Sequence, residues 1–211
     1  MHDAELGRSL VTIARRAIGA ELGQAGSLWS EDSGTDRTGP ARAEPGRAEP
    51  GHPALEAPGA TFVTLFKNGL LRGCIGTLEA RRPLGVDVRA NAVAAAFDDP
   101  RFPRLAADEF MDTSVEVSLL SAPESMTADG EQALLAQLRP GVDGVVLEIA
   151  GRRATFLPQV WDTLREPTEF LAELKRKAGL PIDFWSAAVH MSRYGVTKWR
   201  ESDLHTMEEM S

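Results

Sequence analysis

The chain has 211 residues, of which 43% are hydrophobic, and its formal net charge is −8. This length predicts one domain of ordinary size, or two small lobes sharing one core, and the apolar fraction is enough for a real hydrophobic core. The acidic balance argues against nucleic-acid and membrane-surface binders, because those partners attract basic patches. No run approaches the ~18 apolar residues of a membrane span, and the N-terminus does not resemble a secretory signal. A single cysteine, Cys74, excludes an internal disulfide and favours a reducing, cytoplasmic location.

Two segments at the start of the chain contrast in composition. Residues 3–23 place apolar side chains at the helical period, which predicts a helix with one packed face. Residues 31–60 are rich in proline and glycine and repeat the unit Arg-Ala-Glu-Pro-Gly at 42–46 and 47–51. Leu55 is the only large apolar residue of this window, so it predicts a flexible surface insertion within a domain spanning 1–200. The acidic tail 201–211 is expected to fray.

The next elements read as a hairpin, a helix and a strand. Asn68-Gly69 separates β-rich runs at 61–67 and 70–78, which is a strong hairpin signal because both residues tolerate positive φ. Pro83 opens a predicted helix that runs to about residue 97. Residues 113–120 alternate cleanly and predict a strand whose polar face carries Glu116.

The second half predicts another hairpin with helices around it. A short helix is expected at 131–138, a hairpin at 145–150 and 153–157, and a helix at 167–178 that Gly179 and Pro181 stop. A short helix at 183–189 and a final strand at 193–199 complete the prediction. Hairpins mixed with helices indicate an α+β fold, a mostly antiparallel sheet with flanking helices. Phosphate-binding and hydrolase-elbow motifs are absent from the sequence, and no metal-ligand spacing or cofactor motif is found.

The run from Leu70 to Thr77 carries the strongest indication of chemistry. Strand periodicity places Arg72, Cys74 and Gly76 on one face, and a two-residue turn would set Leu65 opposite Arg72 and Val63 opposite Cys74. Glycines within a strand mark a bulge or a close approach to the backbone. A guanidinium beside a thiol favours the thiolate, so a nucleophilic cysteine is one interpretation. A small buried hydrophobe is the other.

Further polar groups are candidates with simpler alternatives. Asp99 and Arg101 could present an acid and a base, or form a local ion pair that ends a helix. Glu116 could be a general base, or belong to a solvated strand face. His190 fits a satisfied core or boundary histidine better than a base, and Trp161 fits a packing anchor, although it could wall a pocket. Glu148 and Arg153 are expected to form a cross-strand salt bridge.

The run Leu71-Arg72-Gly73-Cys74-Ile75-Gly76 closely resembles the signature of the AMMECR domain family, whose bacterial and archaeal members are called AmmeMemoRadiSam system protein A. Other blocks match in family order. They are Asp99-Pro100-Arg101-Phe102, Ser114-Val115-Glu116-Val117-Ser118, the stretch 153–161, Lys177-Ala178-Gly179-Leu180-Pro181 and Arg193-Tyr194. The insertion at 31–60 is longer than the resemblance leads us to expect.

The resemblance implies a main lobe, a smaller lobe and a cleft near the Arg-Gly-Cys-Ile-Gly run. It also implies two partners, a Memo-like protein and a radical S-adenosylmethionine (SAM) protein, in a modification pathway acting on a protein or a small molecule. The positions that match the family, and that we take as candidate site residues, are Arg72, Gly73, Cys74, Gly76, Asp99, Arg101, Glu116 and Trp161.

Two functions are consistent with these residues. In the first, Cys74 is the nucleophile of a group-transfer enzyme, Arg72 favours the thiolate or holds a substrate carboxylate, and amides near Gly73 and Gly76 stabilise an oxyanion. The proton carrier would be Glu116, Asp99 or His190. In the second, the chain is a non-catalytic ligand-binding or adaptor module that uses Arg72, Arg101 and backbone amides. Nucleic-acid binding would require a basic strip formed by 152–153 with 175–177.

Overall fold

The computed structural model describes residues 3–23 and 51–202. The helices and strands follow in chain order: α1 (Ala4–Glu21), β1 (Pro58–Lys67), β2 (Leu70–Gly76), β3 (Arg82–Pro83), α2 (Leu84–Phe97), β4 (Thr113–Leu120), β5 (Glu124–Met126), α3 (Glu131–Leu135), β6 (Gly144–Ile149), β7 (Arg152–Phe156), α4 (Pro167–Lys177), β8 (His190–Tyr194) and β9 (Val196–Arg200). Short 3-10 helices occupy Pro53–Glu56, Ala107–Asp112 and Pro158–Asp162. The predicted α+β class is confirmed.

The chain divides into two compact units of different size. One comprises the described residues up to Leu119 together with those from Lys198, and the other comprises Leu120–Thr197. The prediction of a main lobe and a smaller lobe therefore agrees with the structure.

The larger unit is built on a five-stranded sheet. Its strand order is β2-β1-β4-β9, and β3 pairs with β1. Helices α1 and α2 pack together, and α2 also contacts β1 and β2. Val63 and Leu65 of β1 and Val115 and Val117 of β4 join the hydrophobic core with these helices. Because side chains alternate along a strand, the polar residues between them point to the opposite face of the sheet. Strand β2 lies at one edge.

The smaller unit has its own sheet and core. Its strand order is β5-β8-β6-β7, and its three pairings are antiparallel. The predicted β6–β7 hairpin is present, but its turn lies at Ala150 and Gly151, one residue before the predicted Gly151-Arg152 turn, and both turn residues have positive φ. Glu148 lies opposite Arg153, and the predicted salt bridge is present at 3.2 Å.

Three predicted elements are corrected by the structure. The last part of the expected insertion is ordered, because Pro53–Glu56 forms a 3-10 helix that buries Leu55, and β1 begins at Pro58; residues 31–50 lie outside the described part of the chain. Residues 183–189 form turns rather than a helix. The expected final strand 193–199 is two strands, because Gly195 interrupts it by exchanging hydrogen bonds with Ser121.

The start of the acidic tail is held in place. Glu201 lies 3.4 Å from the Arg15 guanidinium and accepts the Val115 amide at 3.1 Å. The rest of the tail, from residue 203, lies outside the described residues. Among the helices that the structure describes, none combines the length and apolarity needed to cross a bilayer.

Candidate functional site

A β-bulge divides the strand that carries Cys74. Leu71 lies opposite Phe66, but Gly73 lies opposite Leu65, so Arg72 is the additional residue on β2. A bulge shifts every later pairing by one position. The predicted register, with Leu65 opposite Arg72 and Val63 opposite Cys74, is therefore wrong. Thr64 lies opposite Cys74 instead.

Arg72 is a buried anchor for the segment that follows α2. Its guanidinium donates to Glu109 Oε2 at 2.9 Å and to the carbonyl oxygens of Pro103 and Arg104 at 2.9 and 3.3 Å. Together with Lys67, which donates to Oε1 at 2.9 Å, Arg72 lowers the pKa of Glu109 to about 2. The expectation that Arg72 faces out beside Cys74 is corrected, since its donors are committed to residues 103–109.

The two glycines of the motif are explained by close packing. A Cβ at Gly73 would lie 2.1 Å from the carbonyl oxygen of Ala95 in α2. A Cβ at Gly76 would lie 2.2 Å from the Phe62 ring. Any side chain at either position would collide with these neighbours. The close approach predicted from the glycines exists, and the approaching groups are a helix backbone and an aromatic ring of the same unit.

Cys74 is held at three of its atoms by three different residues. Its amide donates to Asp99 Oδ2 at 2.8 Å, and its carbonyl oxygen accepts from Arg101 Nη2 at 3.1 Å. Its Sγ accepts from the Thr64 hydroxyl at 3.4 Å. The thiol is neither fully buried nor fully exposed. Because β2 is an edge strand, the Asp99–Arg101 turn takes the place of a further strand along this part of the edge.

Asp99 is buried and saturated with donors. Besides the Cys74 amide, its carboxylate accepts the Arg101 amide at 3.1 Å and the Arg101 guanidinium at 2.9 Å on Oδ1 and 2.7 Å on Oδ2. The Arg101 side chain is the main cause that holds the pKa of Asp99 well below its usual range. A carboxylate ionised this strongly fixes the backbone of Cys74 rather than exchanging protons near neutral pH.

Glu116 shares a sheet face with Cys74. Gly73 faces α2, and Val115 and Val117 are in the core, so alternation turns Cys74 and Glu116 to the opposite side. Glu116 is buried, with its carboxylate 2.6 Å from Arg200 Nε and 3.8 Å from Lys198 Nζ. Strand β1 separates the two residues, so their backbones are at least ~10 Å apart.

Trp161 belongs to the core of the smaller unit. Its ring stacks on Phe170 with centroids 3.8 Å apart, and its Nε1 donates to the Asp143 carbonyl at 2.7 Å. Only 3% of it is exposed. These contacts agree with the interpretation of Trp161 as a packing anchor, and Trp161 also lines a surface cavity with Pro140 and Arg165. Its assignment as a ligand-binding residue stays a prediction. His190 is exposed on β8, opposite Glu148.

The basic strip on which nucleic-acid binding depended is engaged in internal contacts. Arg152 donates to the Gly179 carbonyl, and Lys177 donates to the Thr155 carbonyl at 2.9 Å. Lys175 is buried and donates to Glu131 at 2.8 Å. Lys175 is therefore not available at the surface, whereas Arg152 and Lys177 remain exposed while making these contacts.

Sequence reasoning missed Thr64 and a buried polar network beside the site. Thr64 becomes visible only when the bulge shifts the register. In the network, the fully buried Asp87 accepts from Thr61, Thr77, Arg82 and Asn91. No local motif marks these residues, since they meet across β1, the segment after β2 and α2.

The chain is similar to known proteins over most of its length. The family model described as AMMECR1 matches residues 13–199. A protein of Methanothermobacter thermautotrophicus is 36% identical over 89% of this chain and 90% of its own length. A protein of Sulfolobus acidocaldarius is 38% identical over 74% of this chain and 72% of its own. The crystal structure of uncharacterized protein PH0010 from Pyrococcus horikoshii is similar with a TM-score of 0.71 and 31% identity, covering 93% of this chain and 92% of that one.

Proposed function

Because this chain belongs to the AMMECR1 family, whose signature contains the cysteine, we propose that it is a cysteine-dependent enzyme with the Cys74 thiol as its nucleophile. The observation that supports this proposal is that three side chains contact three different atoms of Cys74. Asp99 holds its amide, Arg101 holds its carbonyl and Thr64 contacts its sulfur. A group that reacts must be held in one geometry by its neighbours, and this one is.

The Thr64 hydroxyl gives the sulfur a specific partner. This contact holds the thiol in one orientation. The Asp99–Arg101 turn fixes the strand that carries the thiol and keeps a guanidinium beside it. Arg101 thus takes the role that the sequence assigned to Arg72.

The reaction class that fits is acyl transfer or another group transfer. The thiolate forms a bond to an electrophilic carbon, the leaving group departs with the bonding electron pair, and water or an acceptor then releases the transferred group. The thiol proton leaves to water. Glu116 is at least ~10 Å away by two inter-strand spacings, so we assign it to the substrate end of the face rather than to the sulfur.

We extend the proposal to the context that the family resemblance implies. The reaction would belong to a modification pathway in a reducing, cytoplasmic compartment. A Memo-like protein and a radical SAM protein would act before or after it on the same small-molecule or protein substrate. Membership of the family supports this extension.

The rate of iodoacetamide alkylation as a function of pH tests the nucleophile. Cys74 is the only cysteine of the chain, so alkylation reports one site. We expect measurable reaction at neutral pH, a lower rate in Thr64→Val and a retained rate in Thr64→Ser, which keeps the hydroxyl. Reaction that begins only above the ordinary thiol range of ~8.5 contradicts the proposal.

A ligand-binding or adaptor function is the second candidate. It is favoured because the two nearby carboxylates are both engaged in ion pairs. Asp99 and Glu116 are each committed to ion pairs, so neither is a ready proton carrier at the sulfur. Pathway output in cells carrying Cys74→Ser discriminates the two functions. Loss of output with normal protein levels supports catalysis. Retained output, combined with loss in Arg101→Gln, supports the adaptor.

A further inference from the structure

The Arg101 guanidinium is held in one orientation by two of its nitrogens, and the third nitrogen, Nη1, is available for a further contact. Its Nε and Nη2 bind the two oxygens of Asp99, and Nη2 also reaches the Cys74 carbonyl. Within residues 3–23 and 51–202, Nη1 has no hydrogen-bond partner, and 55% of the side chain is exposed. A guanidinium held on one side by a buried carboxylate presents its remaining N–H groups in one direction at little further entropic cost.

Arg101 also contacts the residue that carries the thiol. Its Nη2 donates to the Cys74 carbonyl oxygen at 3.1 Å. The pKa of Arg101 is raised mainly by its hydrogen bond with Asp99, and the Cys74 side chain raises it further. An anion bound at Nη1 would therefore lie beside Cys74.

We propose that Arg101 Nη1 binds a carboxylate that the substrate carries next to its electrophilic carbon, so that the enzyme selects anionic electrophiles over neutral ones. This inference rests on the proposed function, since it specifies the substrate class of the same thiol. The other cations on this face fit the role less well. Lys198 and Arg200 flank Glu116 on β9, three strands from β2, which is ~14 Å.

Two alkylating reagents test the selectivity directly. Iodoacetate and iodoacetamide react in the same way: the thiolate forms an S–C bond, the C–I bond breaks and iodide leaves. Iodoacetate carries a carboxylate on the reacting carbon, whereas iodoacetamide is neutral. The ratio of their rates at Cys74 therefore reports recognition of the carboxylate. The same protein unfolded in concentrated urea gives the reference ratio.

We expect the iodoacetate-to-iodoacetamide ratio of the folded protein to exceed the urea reference about tenfold, equivalent to ~1.4 kcal/mol. Acetate at increasing concentration should lower the rate of alkylation by iodoacetate and leave the rate of alkylation by iodoacetamide unchanged. Arg101→Gln should abolish the excess, and Arg101→Lys should retain part of it because the charge stays. Arg104→Gln is the matched control. Arg104 is an exposed arginine of the same segment whose side chain contacts Phe97 and Asp98, so the excess should persist.

The outcomes separate this inference from the proposed function. Reactive Cys74 without an excess for iodoacetate overturns the carboxylate inference and leaves the nucleophile in place. An excess that Arg104→Gln removes as fully as Arg101→Gln also overturns it, because general electrostatics would then be the cause. Failure of both reagents to react at neutral pH overturns the proposed function itself. Because Arg101→Gln leaves Asp99 without its partner, circular dichroism checks its fold, and the acetate competition in the unchanged protein stands without that variant.

Discussion

The amide of Cys74 donates to the carboxylate of Asp99 at 2.8 Å, across 25 residues of sequence. This bond satisfies a backbone donor on an edge strand that no further strand covers. It also connects the signature strand to the turn that ends α2, so the two sequence blocks form one structural unit. The position of the sulfur therefore depends on a side chain outside its own motif.

Replacing Asp99 by asparagine should destabilise the protein by about 2–3 kcal/mol, because the buried carboxylate that binds the Arg101 guanidinium and amide is lost. Urea unfolding measures this. Asp98→Asn is the control, since Asp98 is 64% exposed and lies 3.5 Å from Arg104. It should change stability by less than about 0.5 kcal/mol. Equal effects of the two substitutions would contradict the anchoring role.

Arg72→Met should cost about 2–4 kcal/mol, because it removes one of the cations that bind Glu109 and the donor to the Pro103 and Arg104 carbonyls. The same variant, under conditions where it is folded, should alkylate at Cys74 at the rate of the unchanged protein. Arg81→Met removes an arginine that is 81% exposed and should leave stability unchanged. A variant that kept its stability but lost thiol reactivity would return Arg72 to the role first predicted for it.

Gly73→Ala should destabilise the protein by about 3 kcal/mol or more, since the added methyl group meets backbone rather than a mobile side chain. Gly51→Ala is the comparison, because a Cβ at Gly51 meets nothing within 4 Å. Thermal melts of both variants measure the difference. A Gly73→Ala protein as stable as the Gly51→Ala protein would refute the packing account of the motif.

Stability should fall as the pH drops from about 4.5 towards 2, in the window set by Glu109. Its pKa is lower in the folded chain than in the unfolded one, so the unfolded state binds the proton first. The stabilisation is therefore complete above the unfolded value and is lost on acidification. Urea midpoints measured across this range should show a shallower slope for Glu109→Gln than for the unchanged protein. Parallel slopes would exclude this contribution.

Local patterns were sufficient for most of the elements. The Asn68-Gly69 turn, the helix after Pro83 and the alternation at 113–120 each predicted the element that the structure has, because turn chemistry and periodicity are properties of short segments. The helix expected at 183–189 is wrong, because the local sequence of a short segment does not contain its packing contacts in the folded chain. Its short apolar run carries no cap, and packing against the smaller unit's core decided its conformation.

The sequence predicted which residues belong to the candidate site better than it predicted how they are arranged. The motif led to Cys74, Asp99 and Arg101, which do meet. The motif also predicted that Arg72 lies beside the sulfur, because side chains two residues apart on a regular strand share a face. The bulge at Arg72 interrupts that alternation. Arg72, the inserted residue, binds Glu109, and Arg101 is the arginine that contacts Cys74, at its carbonyl oxygen.

The sequence by itself determined the class of fold, the family and the strand on which the cysteine lies, because these follow from periodicity, turn residues and a contiguous motif. Only the tertiary structure decided which guanidinium lies beside the sulfur and why the glycines are required. Both depend on contacts between segments far apart in the chain: Asp99 with Cys74, and the Ala95 carbonyl with Gly73. A change of one residue in strand register exchanges such neighbours, and no short window of sequence contains that information.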